Sequence, residues 1–122
     1  NLLKLKAARD GLVGGTVSPA DFLAEVDEVL QFVNSALELY DSPYMKHQLT
    51  TMPADAAQIF GEMSLAAKEM QAGLQRMASY TGSQDLPEVD AGLRDVEGGL
   101  GRADAAQDVA AQKGEEAAAA SE

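Results

Sequence analysis

The residues with chemistry to offer are few. His47 is the single histidine and there is no cysteine. Zinc, haem and nucleophile–base sets need imidazole or thiolate in company. His47, next to Lys46, therefore reads as a solvated loop side chain. No Glu-x-x-His pair occurs, so the di-iron bundle pattern is missing. Asp27–Glu28, Asp90 with Asp95, and Glu115–Glu116 are carboxylate pairs of the kind an acidic chain makes by chance. None has the spacing of an EF-hand loop. The run from Gly11 to Thr16 lacks the lysine of a phosphate loop and follows no strand, so it reads as a flexible turn. Gly98-Gly99-Leu100-Gly101 reads as a helix break. No catalytic residue, cofactor site or metal ligand is assigned, and the chain reads as a non-enzyme.

What remains is recognition by apolar surface. Met63, Met70 and Met77 recur every seven residues, preceded by Met45 and Met52. Methionine is flexible and polarizable. It fills irregular cores or lines grooves that take a partner's amphipathic helix. Phe32 and Leu39 fall outside the main stripe of their own helix. They are either wide-face core positions or an exposed apolar patch. The candidate protein-binding face is Met63, Met70, Met77, Phe32 and Leu39.

Charge limits the partner. The formal net charge is -11, which disfavours nucleic acid and anionic membranes and favours a basic segment. No apolar run is long enough to span a bilayer and no signal peptide is visible, so the expected location is the cytoplasm. The first residue is Asn1, which is what a processed or cut-out N-terminus looks like.

These residues need helices to hold them. The stretch 53–81 organises the chain. Ala56, Phe60, Met63, Ala67, Met70, Leu74 and Met77 step by four and three, the pattern of one helix face. Ile59, Ala66, Gly73 and Tyr80 run beside it. Gly73 on that second line would allow a close helix approach, whereas Gly61 has no visible reason. Ser18-Pro19-Ala20-Asp21 is a helix start, and Phe22, Val26, Val29, Val33, Ala36 and Tyr40 carry a stripe through 18–41. Ser42-Pro43 begins a shorter turn of helix over 43–49, with Tyr44, Met45 and Leu49 plugging the bundle end. A short helix spans 2–10 and is ended by the glycines that follow. Asp85 caps a last helix over 86–111, with Glu88 as its reciprocal partner, and the glycines at 98, 99 and 101 weaken it.

The expected fold is all-α: an up-and-down bundle of three long helices, with a short N-terminal helix and a weak, glycine-interrupted last helix. It forms one domain over 1–111, followed by a frayed or disordered tail over 112–122. Leu, Ile, Val and Phe make up only about a fifth of the chain, so the core is thin and self-association would add burial. The expected function is a non-enzymatic helical interaction or assembly module that binds a basic amphipathic segment or forms a homodimer. The alternatives are a purely structural domain of a longer protein and a carboxylate-based metal-binding bundle.

Overall fold

The computed structural model describes residues 2–121. The chain is all-helical, with five α-helices: α1 Leu2–Gly14, α2 Pro19–Tyr40, α3 Pro43–Thr51, α4 Ala54–Ala78 and α5 Leu86–Ser121. A 3-10 turn over Ser83–Asp85 leads into α5. This corrects the expectation of three long helices with a short first and a weak last one. The glycine-interrupted last helix is instead one unbroken α-helix of 36 residues.

Local chemistry explains the starts and stops. Ser18 caps α2 by accepting from the Asp21 amide at 3.1 Å, and Ser42 caps α3 by accepting from Met45 at 3.2 Å. In both helices proline follows the cap, where its missing N–H costs nothing. α1 does not stop at Gly11. It continues to Gly14 and ends on Gly15 at φ +81. The Thr16 amide there donates to the Gly11 carbonyl at 2.8 Å, closing a left-handed C-terminal cap. At the start of α4 the cap position is Pro53, which makes no side-chain cap bond; Asp55 accepts from the Ala56 amide at 3.0 Å, and Thr51 donates to the Gln48 carbonyl. Asp85 does not cap α5 either. Its carboxylate accepts from the amide and hydroxyl of Thr81 at 2.8 and 2.7 Å. These bonds, hydroxyl first, hold its pKa below the ordinary carboxylate value.

Four helices close a ring. α2 touches α1 and α4, α4 touches α5, and α5 touches α1. α4 pairs antiparallel with α2, as Phe22 with Tyr80 and Tyr40 with Phe60 indicate, and with α5, as Arg76 with Glu88 and Asp55 with Lys113 indicate. α1 also runs antiparallel to α5, with Lys6 on Glu97 and Arg9 on Asp90. α3 lies outside the ring against α2 and buries none of its residues. Tyr44 is 68% exposed, so it does not plug the bundle. Met45 and Leu49 are half-buried beside a groove of about 480 Å³ that also meets Tyr40 and Phe60.

The core sits toward the end where Leu5, Phe22, Leu74, Met77, Val89 and Val96 are enclosed. Phe22 meets Tyr80 edge-on at 5.6 Å between ring centroids. At the opposite end the core thins to alanine, with Ala103 and Ala106 its last buried contributors on α5. Among the described side chains, every one after Ala106 is exposed.

α4 and α5 pack at backbone distance. A Cβ on Gly73 would fall on the carbonyl oxygen of Gly92, and a Cβ on Gly92 would fall on that of Gly73. One on Gly99 would lie 2.7 Å from the Ala66 carbonyl oxygen. These glycines weaken helix propensity but let two helices close. Gly61 faces open space, so it carries the propensity cost alone. Gly61→Ala is expected to stabilise the chain by about 0.5–1 kcal/mol. A thermal melt followed by circular dichroism should show a rise of a few degrees; a fall would reveal a contact at that position.

Candidate docking face

The structure does not bring the five expected face residues together. Met77 is fully enclosed in the core. Met70 is half-buried, with its side chain against Gly99, and Met63 is also half-buried. Phe32 and Leu39 project from α2 and are 69% and 62% exposed. Seven residues apart, they lie on one side of that helix.

Ion pairs mark what α4 and α5 do with their charge. Arg76 donates from Nε to Glu88 at 2.6 Å and from Nη1 to Asp95 at 3.0 Å. Arg102 donates from Nε to Glu69 at 2.8 Å and from Nη1 to Glu62 at 2.9 Å. Hydrogen bonding to these carboxylates raises both guanidinium pKa values, for Arg76 through Glu88 first and then Asp95. All these groups are well solvated, so each pair adds little stability. Their value is in fixing register and direction.

By residue type alone Glu62, Glu69 and Arg76 look like ordinary solvated charges. A repeat was the missed signal. Glu62, Glu69, Gly73, Leu74 and Arg76 recur 26 residues later as Glu88, Asp95, Gly99, Leu100 and Arg102. In an antiparallel pair that pattern makes each arginine face two acids of the other helix.

α2 is different. It carries Asp21, Glu25, Asp27, Glu28 and Glu38 and no lysine or arginine. Eight ion pairs are found among the described residues, and none uses a carboxylate of α2. Asp27 accepts only from Gln31, at 2.8 Å. A groove of about 380 Å³ runs along this helix between Glu25, Glu28, Val29, Phe32 and Ser35. Of α1, Lys4 lines it, and Lys4 makes no ion pair among the described residues. The groove thus sets the apolar side chains of Val29 and Phe32 among polar ones, with Lys4 the one cation beside Glu25 and Glu28 in its lining.

Comparison with protein-family models, with curated proteins and with solved structures finds no match for this chain. The site must be judged on its own chemistry. Among the described residues no three His, Cys, Asp or Glu side chains come together in a way that could hold a metal. His47 is exposed on α3. No described helix is long and apolar enough to cross a membrane.

A second cleft lies between α4 and α5, about 270 Å³ in volume and mostly apolar, lined by Ile59, Ala106 and Val109 with Asp55, Arg102 and Lys113 at its rim. Its charges are already satisfied within the chain. Arg102 holds Glu62 and Glu69, and Lys113 lies 3.5 Å from Asp55. It offers apolar area but no unmatched charge to select a partner.

Proposed function

We propose that this chain is a non-catalytic helix-docking module whose outer α2 face binds a basic amphipathic helix of another protein. One observation carries the reading. The helix that exposes Phe32 and Leu39 is also the one whose five carboxylates have no ion pair among the described residues. Apolar area supplies affinity in such a complex, while complementary charge supplies rate and selectivity. A homodimer through the same face is the less favoured occupant, because it would bring two uncompensated acidic helices together.

A fluorescent amphipathic peptide of leucine and lysine in helical repeat tests this. It is expected to bind saturably, to weaken as salt rises, and to lose at least tenfold in affinity when Phe32→Ala and Leu39→Ala are combined. Light scattering runs alongside. A wild-type dimer that the same double substitution dissolves would overturn the reading in favour of self-association. Peptide binding that ignores the double substitution would overturn it as well.

A further inference from the structure

The groove between α3 and α4 is unlike the other surfaces of this acidic chain. Tyr40, Met45, Leu49, Phe60 and Leu65 supply its apolar lining, and its volume is about 480 Å³, in the ordinary range for small-molecule sites. Tyr40 and Phe60 meet edge-on at 6.4 Å between ring centroids, where α2 joins α4. One wall is α3, which rests chiefly on α2. Met45 and Leu49 on that wall are half-buried, and a methionine side chain repacks readily around a guest.

Two features of this lining point to a ligand and to its chemistry. The first is Gly61. It lines the groove, and a Cβ there would meet nothing within 4 Å. Helix propensity is given up where no neighbour requires it, and the space left by the missing side chain is groove. Gln58, Gly61, Leu65 and Lys68 step by three and four along α4, a row about 15 Å long. The second feature is charge. Lys46 on α3 and Lys68 on α4 both line the groove and are exposed, and neither makes an ion pair among the described residues. Of the two acids in the lining, Glu62 is held by Arg102. That leaves Asp41 against two ammonium groups.

We propose that this groove binds a single-chain amphiphile with an anionic head, of the fatty-acid type. The alkyl chain lies along α4 over Gly61, between Phe60 and Leu65 on α4 and Met45 and Leu49 on α3. Lys46 and Lys68 meet the carboxylate, each as a compact charge on a flexible stem. The site is separate from the outer face of α2, since neither Phe32 nor Leu39 lines it. With a net charge of -11 the chain as a whole repels an anion, so the head group is held by these two lysines or not at all.

Titration calorimetry with sodium dodecanoate, below its micellar concentration, tests this. The full chain is expected to bind one equivalent. Hexanoate should bind at least tenfold more weakly, because the shorter chain leaves apolar lining uncovered. Lys46→Gln combined with Lys68→Gln should weaken dodecanoate at least tenfold without moving the melting temperature, since both side chains are exposed. Asp41→Asn should tighten it. Gly61→Leu should fill the groove and abolish binding while circular dichroism shows the helices retained. Phe32→Ala with Leu39→Ala should leave the affinity unchanged. Absence of binding by the full chain would overturn the proposal. Binding that survives both the lysine pair and Gly61→Leu would overturn it too, by placing the amphiphile on another surface. Loss on Gly61→Leu with no effect of the lysine pair would overturn the anionic head.

Discussion

Gly73→Val is expected to lower the melting temperature by about 10 °C or more, a loss of about 3 kcal/mol. Gly73 has no room for a side chain because the opposing surface is backbone. Its missing Cβ would meet the Gly92 carbonyl oxygen, the Asp95 side chain at 2.7 Å and the Val96 amide nitrogen at 3.1 Å. A flexible side chain can turn away, but a helix carbonyl can move only with its helix. Valine would therefore push α4 and α5 apart along their length, loosening Met70 and Met77 and lengthening the bonds of Arg76 and Arg102. Gly92→Val should act similarly, since the clash is reciprocal. The double substitution should cost less than the two singles together, because helices already separated accommodate the second side chain. Equilibrium urea unfolding measures all three. A change of less than about 0.5 kcal/mol for Gly73→Val would show that the two helices do not meet at backbone distance.

Phe22→Ala should cost about 3–5 kcal/mol, the range for removing an enclosed aromatic side chain. Phe22 has no exposed surface and shares the core with Leu5, Leu74 and Met77. Its edge-on partner Tyr80 is also buried, so the substitution removes apolar burial and a ring contact together. The bundle is ill placed to collapse around the space, because the residues enclosing it belong to several different helices. Phe22→Leu keeps most of the volume and should cost about 1–1.5 kcal/mol. The ordering of the two variants in urea denaturation is the decisive readout. Equal losses would place the stability of this region in backbone packing rather than in side-chain volume.

What could be read from residues alone followed from short-range rules. Ser18-Pro19 and Ser42-Pro43 fix two helix starts by local bonding, and both are present. The four-and-three stripe from Ala56 to Met77 marks a helix because periodicity survives any tertiary setting. The errors arose where a distant contact decides the outcome. Gly98 and Gly99 look like a break, yet the helix passes through them, and Gly99 is what lets Ala66 and Met70 approach. Propensity counts the entropy of glycine but not the helix beside it. Gly11 looks like a stop, but Val17 folds back over it and the cap falls at Gly15. Asp85 has the spacing of a cap, and its Oδ2 accepts both bonds from Thr81 instead.

The candidate face was legible only in part. Phe32 and Leu39 stood outside the stripe of α2, and they are exposed. Met77 carried the same apolar signal and is enclosed. Seven-residue spacing says that residues share a side of a helix but not which side meets water. The unpaired state of the α2 acids could not be read at all, because composition does not say which carboxylates the nine lysines and arginines reach.

The repeat shared by α4 and α5 has a topological consequence. Each helix presents two acids, then an arginine, at the same spacing, so each face complements a copy of itself as well as its neighbour. Nothing in those side chains tells α4 to choose α5 over the α4 of another molecule. The choice falls to the tether over residues 79–85. A link that short holds α5 near α4 at an effective concentration on the order of millimolar, far above that of free chains. Mating within one molecule is therefore a property of the hinge. Exchange of α5 between two molecules is the assembly that the same interface would support if the hinge were stretched straight.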